Sequence, residues 1–341
     1  QEAEMIREAI DALVEGHSLT MDEAAASMNE IMKGDATPAQ FGAYVTALRL
    51  KGETVQEIAG MARVMREKAL HVSVSGVLVD TAGTGGDRSG SFNISTTAAL
   101  VAAGAGVKVA KHGNRAMSGA TGSADVLEAL GVNIDLSPEG VQQCIEEVGF
   151  GFMFAQRYHP SMRFAAGPRR EIGIRNVFNI LGPLTNPAGA KRQVIGVADP
   201  AMARRMAEVL GTLGSERALV VHGEDGMDEL TITGPSQVWE LKDGSVTEYA
   251  FTPNSVGLQT ADAGTLAATS ADDSAATVRS VLGGTSGPAR DVVLLNAAAA
   301  LAVGGAAENL SDGVVQASES IDSGAASRVL AGLAELSQTL E

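Results

Sequence analysis

VLVDTAGTGGDRSGSFNISTTAAL, residues 77–100, sets a short apolar run, a crowd of glycines and an uncharged helix-forming run end to end. A strand that stops at a glycine-rich turn and restarts as a helix is one unit of a parallel, helix-flanked sheet. Gly83, Gly85, Gly86 and Gly90 either make a plain turn or let backbone N–H groups gather around an anion at the new helix start. The stretch is neither GxxxxGK[ST] nor a GxGxxG at a strand end. Asn93, Ser95, Thr96 and Thr97 add donors without bulk.

Outward from this stretch the same alternation continues. VKVAKHG, FGFMFA, QVIGVAD, RALVVHGE and QVWELK are β-prone, and SADVLEALG, SPEGVQQCIEEVG and PAMARRMAEVLGTLG between them are helical. The first 70 residues differ, with four helical patterns in succession. Three of them begin with capping boxes, at Thr20/Glu23, Thr37/Gln40 and Thr54/Glu57. The expected fold class is α/β, with a small all-helical domain plus a large domain built on a central, mostly parallel sheet flanked by helices. Residues 157–192 interrupt the alternation with Arg157, Arg163, Arg169, Arg170 and Arg175, then the Pro/Gly-rich LGPLTNPAGAKR. They are read as a return toward the helical domain and as one wall of a cleft. The expected division is 1–72 with part of 160–190 for the helical domain, and 73–159 with 191–341 for the α/β domain. Residues 243–290 are weakly patterned and are placed on the far side of the large domain.

Net charge is −16, which argues against nucleic-acid and membrane-surface partners. Between Arg88 and Arg192, however, 11 basic residues face 7 acidic ones. A small anionic ligand is the simplest reason, and chance clustering on a solvated face is the alternative. The single cysteine, Cys144, excludes an internal disulfide and a cysteine metal cage. No apolar run reaches the length of a membrane span, and residues 1–15 are acidic and unlike a signal peptide. A cytoplasmic protein is expected.

In such sheets ligands sit beyond the carboxyl ends of the strands. KHGNR (residues 111–115) falls there, with two cations, a histidine and an asparagine around one glycine. Lys and Arg suit phosphate, while His and Asn offer directed hydrogen bonds. SGATGSAD, residues 118–125, reads as a second anion-receiving turn. HGEDGMDE, residues 222–229, brings Glu224, Asp225, Asp228 and Glu229 to another strand end. Neighbouring carboxylates suit Mg²⁺ together with substrate phosphate and water. An acidic turn is also what a solvated loop looks like, and by itself it leaves both readings open.

Taken together, GTGGD, FNIST, KHGNR, GSAD, RREIGIR, NILGPLTNP and HGEDGMDE resemble the motifs of the anthranilate phosphoribosyltransferase family, from the N-terminal helices to about residue 230. The resemblance implies the nucleoside-phosphorylase-like phosphoribosyltransferase fold and a homodimer through the helical domain. The implied reaction moves phosphoribose from 5-phosphoribosyl 1-diphosphate (PRPP) to the amino group of anthranilate, in tryptophan biosynthesis. By the resemblance, Gly83, Gly85, Gly86, Asp87, Asn93, Ser95, Thr96, Lys111 and Ser123 would hold PRPP. Gly83, His112, Asn114, Arg169 and Gly182 would meet anthranilate. Ser95, Asp228 and Glu229 would ligate Mg²⁺, with two ions expected. No residue is assigned as a nucleophile.

Two positions depart from the family's pattern. Arg88 follows GTGGD where a small residue is expected, and Phe164 stands where a polar histidine is expected. Three rival readings are a pyrimidine nucleoside phosphorylase of the same fold, a non-catalytic, nucleic-acid-binding paralogue, and a structural or binding protein with a vestigial site. KHGNR and LGPLTNP argue against the first; the charge balance and the intact Asp228–Glu229 pair argue against the second.

Overall fold

The computed structural model describes residues 5–116 and 121–340. Ser118 of the second anion-receiving turn lies outside the described residues.

The chain opens with α1 (Met5–Val14), α2 (Met21–Lys33), α3 (Pro38–Lys51) and α4 (Val55–Glu67). All three capping boxes form: the threonine side chain takes the N3 amide, and the Glu or Gln at N3 takes the threonine amide. Each box satisfies helix-terminal donors that would otherwise be orphaned. Glu57 goes further. Fully buried, it also accepts from Leu19 N at 2.9 Å and pairs with Lys51 Nζ at 3.0 Å, which ties α4 to α3 and to the loop before α2.

The larger part follows as β1 (Leu78–Gly83), α5 (Ile94–Gly104), β2 (Lys108–Gly113), α6 (Ser123–Ala129), α7 (Pro138–Val148) and β3 (Phe150–Phe154). Next come α8 (Ala155–Tyr158), α9 (Arg163–Ile172), α10 (Phe178–Leu181), β4 (Arg192–Gly196), α11 (Ala203–Thr212), β5 (Arg217–Gly223), β6 (Ser236–Lys242) and β7 (Ser245–Phe251). The chain ends with α12 (Ala271–Leu282), α13 (Pro288–Gly304), α14 (Leu310–Asp322) and α15 (Ala325–Ser337). The strands form one sheet in the order β3-β2-β1-β4-β5-β6-β7. It is parallel from β3 to β5 and antiparallel from β5 to β7, as the mostly parallel expectation required. β1 lies beside β2 on one flank and β4 on the other. The order reverses there, which opens a crevice at the carboxyl ends of the two strands.

Two apolar clusters sandwich the sheet. One joins α5, α12, α13 and α15 to one face, with Ala-rich α13 buried almost all round. The other contains the helical bundle and continues through Ala165, Val177, Phe178 and Leu181 into Ile195, Met206, Leu210 and Trp239. In the arginine segment, α9 packs on α2 and α3. The bundle also shares its core with α11 and the sheet, so one apolar cluster crosses from the helical part into the α/β part.

The placement of 243–290 on the far side needs correction. β7 pairs with β6 through the hairpin at Asp243–Gly244, with φ of 51° and 75°. After it, the chain returns to the glycine-rich stretch. Ala268 N donates to Gly90 O at 2.8 Å and Phe92 N to Leu266 O at 2.9 Å. Ser274, near the start of α12, accepts from Asn93 N at 3.0 Å and donates to Asn93 Oδ1 at 2.8 Å. This region buttresses the opening motif.

Candidate active site

The site grows from two glycines. β1 and β4 run in parallel register with Gly83 opposite Gly196, each the last residue of its strand. A methyl group on Gly83 would lie 2.4 Å from Asp228 Oδ2, and one on Gly196 would lie 1.6 Å from the Asp228 carbonyl oxygen. Missing side chains thus make a notch at the switch point, and the turn after β5 drops Asp228 into it. Gly196 was not among the residues singled out from sequence. Its signal was present in QVIGV, where a strand ends on glycine as VLVDTAG does.

The glycine turn closes over this acid. Gly85 N donates to Asp228 Oδ2 at 2.8 Å, and Ser95 N, in the first turn of α5, donates to Glu229 Oε1 at 3.1 Å. Burial and the nearby charge of Asp87 push the Asp228 carboxyl up to about 7. Burial and the charge of Asp228 push Glu229 up to about 8, with Lys111 pulling the other way. Asp228 and Glu229 thus resist holding their full charge, which is the environment a cation relieves. Among the described residues no three acidic, His or Cys side chains form a metal cage. A pair of carboxylates completed by substrate oxygens and water is how Mg²⁺ is usually held.

The four acids of HGEDGMDE therefore divide. Asp228 and Glu229 face the glycine turn. Asp225 instead braces its own loop, accepting from Thr231 Oγ1 at 2.7 Å, Thr233 Oγ1 at 2.5 Å and Met227 N at 3.1 Å. Glu224 is exposed.

KHGNR divides too. Its first three residues are the last three of β2 rather than a loop after it. Lys111 is buried, and its ammonium donates to the Thr81 carbonyl, to Thr81 Oγ1 at 3.2 Å and to Ser95 Oγ at 3.3 Å. Burial lowers its pKa, opposed by Asp80 and Glu229. His112 Nδ1 meets the Gly182 carbonyl at 3.2 Å, so that nitrogen carries the proton. Nε2 is then an acceptor, buried and without a partner among the described residues. Burial, and then neighbouring His159 with ring centroids 5.0 Å apart, lowers His112 to about 3. Its imidazole is neutral at pH 7. Arg115 is not free for phosphate, because Asp125 at 3.0 Å and Glu128 already hold its guanidinium.

Of the remaining candidates, Asn114 gives its carbonyl to Ala124 N at 3.2 Å and Ser123 Oγ at 3.3 Å, closing the turn from β2 to α6. Thr96 is fully buried, and its hydroxyl finds no partner among the described residues and no solvent. Asn93 gives its side-chain carbonyl to Ser274. Arg169 stands on α9 with its guanidinium over the Phe178 ring, 5.4 Å from the centroid, and burial lowers its pKa. Phe178 opens α10, which ends against Gly182. The geometry thus assembles Gly83, Gly85, Gly86, Asp87, Ser95, Lys111, Asp228 and Glu229 tightly, and the acceptor-side set loosely.

Asp80 was missed, although a charge inside VLVD is itself a signal. Fully buried in β1, it accepts from His112 N at 3.2 Å and Asn186 Nδ2 at 2.9 Å. It fixes the end of β2 to the NILGPLTNP loop. The two departures also find places. Phe164 packs on Gly34 at the left-handed end of α2, where an added methyl would lie 2.7 Å from its ring, and Arg163 stacks over it. Arg88 takes a left-handed backbone, φ 59°, and is exposed. That conformation explains why a small residue is expected there.

A helical bundle beside a mostly parallel sheet, with an acid pair under a glycine turn at the switch point, defines a two-part glycosyltransferase. Family models agree: the glycosyl transferase family helical bundle domain matches residues 7–69, and its a/b domain matches residues 75–327. Anthranilate phosphoribosyltransferase from Moorella thermoacetica is 57% identical over 327 residues, 96% of this chain and 96% of its own. The solved anthranilate phosphoribosyltransferase of Thermus thermophilus superposes with a TM-score of 0.92 at 46% identity, covering 97% of this chain and 99% of that one. That of Saccharomyces cerevisiae, in complex with PRPP and Mg, superposes at 0.89 with 26% identity, covering 99% and 100%. The chain belongs to the anthranilate phosphoribosyltransferase family.

Proposed function

We propose that this chain transfers the phosphoribosyl group of PRPP to the nitrogen of anthranilate and releases diphosphate. The observation that carries the reading is the acid pair locked to the glycine turn: Asp228 on Gly85 N and Glu229 on Ser95 N. A diphosphate reaching those amides meets two carboxylates, which is tolerable only with a cation between them. Mg²⁺, two ions by expectation, would supply that charge and stabilise the leaving diphosphate. Asp228, Glu229 and Ser95 would hold it.

In the reaction the ribose C1–N bond forms, the C1–O bond to diphosphate breaks, and the amine gives up a proton. An arylamine is already neutral at pH 7, so no base is needed before attack. The demanding part is charge on the departing diphosphate and on the ribose. Amides of the glycine turn would stabilise the first, with the Lys111 ammonium adding its charge from beneath Ser95. On the acceptor side, Arg169 would face the anthranilate carboxylate, and His112, Asn114 and Gly182 would frame the ring. The reading includes a homodimer through the bundle, where α1 and α3 leave Val14 at 72% and Leu50 at 84% exposure.

Loss of anthranilate fluorescence on mixing with PRPP and Mg²⁺ tests the reading. Asp228→Ala combined with Glu229→Gln should remove Mg²⁺-dependent turnover, by about a hundredfold or more. Unchanged rates in that variant would sink the metal assignment. Phosphorolysis of uridine or thymidine by the wild type, without loss of anthranilate, would transfer the chain to the nucleoside phosphorylase reading.

A further inference from the structure

Arg175 has no part in the reading above, yet it crosses from the arginine segment to the glycine turn. Its Nη2 donates to the Gly85 carbonyl at 3.3 Å. A methyl on Gly86 would lie 1.9 Å from its Nη1, so the guanidinium rests against the Gly85–Gly86 peptide. That peptide is trans and planar, so a carbonyl held on one side turns the Gly86 N–H to the other. The N–H of Gly85 is held in turn by Asp228 Oδ2 at 2.8 Å. Asp228 thus fixes the turn from the sheet, and Arg175 fixes it from the opposite wall.

That wall is itself well anchored. α9 ends at Gly173, left-handed at φ 66°, whose N–H returns to the Arg169 carbonyl at 3.2 Å. Buried Asn176 takes Phe178 N at 3.1 Å and gives its own N–H to Asn179 Oδ1 at 2.9 Å. Ala165, Val177 and Phe178 on either side belong to the core of the bundle. None of the ion pairs among the described residues includes Arg175. Its charge is spent on a backbone carbonyl at the rim of an anion site, while Arg115 and Lys111 are committed elsewhere.

We propose that Arg175 is a positioning residue for the diphosphate end of the donor. It orients the Gly85–Gly86 peptide, and it makes donor affinity depend on the segment that carries Arg169. The inference rests on the phosphoribosyl-transfer reading.

Calorimetric titration of inorganic diphosphate with Mg²⁺ into wild type, Arg175→Ala and Arg175→Lys tests it without turnover. The alanine variant should bind about tenfold more weakly, the value of one hydrogen bond from a charged group. Lysine should recover part of the loss, and the melting temperature should hold because the side chain is exposed. In turnover the loss should fall on the KM for PRPP, with kcat changed by less than about twofold. Gly86→Ala should cost less affinity in the Arg175→Ala background than alone, since the two groups touch. Additive costs, or an alanine variant that binds diphosphate as the wild type does, overturn the proposal. A wild type that turns over no anthranilate, with Arg175→Ala still weakening diphosphate, upholds the positioning role and removes the phosphoribosyl-transfer reading alone.

Discussion

Gly196→Ala adds one methyl at the point where the structure has least room. The new carbon would lie 1.6 Å from the Asp228 carbonyl oxygen and 2.4 Å from the Asp228 carbonyl carbon. Ordinary contact begins near 3.4 Å, so something must move by more than 1 Å. β4 cannot give easily, because it is hydrogen-bonded to β1 on one side and β5 on the other. The turn holding Met227–Glu229 moves instead. Its displacement takes Asp228 off Gly85 N and draws Glu229 from Ser95 N. Overpacking of this kind costs about 3 kcal/mol, a fall of several degrees in melting temperature for a chain of this length. Misplacing the acid pair by about 1 Å should cost roughly a hundredfold in kcat/KM. Thermal melting and anthranilate fluorescence at saturating Mg²⁺ measure the two losses. Wild-type activity in Gly196→Ala would refute the notch. So would a loss of stability with unchanged turnover.

Two other outcomes follow from single residues. Arg88→Gly should raise the melting temperature slightly, because a left-handed backbone costs an L residue roughly 1–2 kcal/mol and glycine returns part of that as chain entropy. A lower melting temperature would show that the Arg88 side chain contributes more than its backbone costs. His112 and His159 set a pH dependence. An unfolded imidazole protonates near 6.5, whereas burial holds folded His112 to about 3 and His159 to about 4. Below pH 6.5 the unfolded state binds more protons, so stability should fall as pH drops from 6.5 toward 4 and level off below the folded values. The groups facing the pair are Lys111, the Gly182 carbonyl, the Thr185 backbone and His71. His112→Asn and His159→Asn should each flatten the melting temperature across that range. Raised carboxyls such as Asp228 act in the opposite direction, so the comparison is variant against wild type, and parallel curves would refute the assignment.

Legibility in the sequence tracked how local each signal is. The capping boxes lie within four residues, and Thr20, Thr37 and Thr54 form as their spacing dictates. Parallel strands buried on both faces announce themselves as apolar runs, and β1 to β5 lie where such runs stand. β7 does not, since SVTEYAF is an exposed edge strand with polar residues. Its only cue is the Asp243–Gly244 dipeptide, a two-residue hairpin signal. The site residues gathered by motif, but their division of labour did not. Arg115 and Asp225 look as functional in sequence as Lys111 and Asp228. Only the packing of α6 against the β2 turn, and of Thr231 against the acidic loop, commits them to structural partners. Arg175 reaches Gly85 from 90 residues away and Ser274 reaches Asn93 from 181, while Gly196 stands opposite Gly83 across the sheet.

The same packing argues for a cation more strongly than the acidic motif does. Asp228 and Glu229 are each tied to a backbone amide of the donor turn, so they cannot swing aside when an anion arrives. Burial has raised both, and Asp87 stands beside them. The ammonium of Lys111 is buried on the Thr81 carbonyl beneath Ser95, and Arg175 holds the Gly85 carbonyl at the rim. Both cations are already engaged by backbone carbonyls. Whatever charge these acids carry repels a polyphosphate held in the same crevice, at up to several kcal/mol in a site partly shielded from water. A cation carried in with the donor removes that repulsion and lets both acids ionise. Binding of diphosphate to this chain should therefore rise with Mg²⁺ and be weak in a chelator, whereas an acid pair that merely braced the loop would leave the affinity independent of metal.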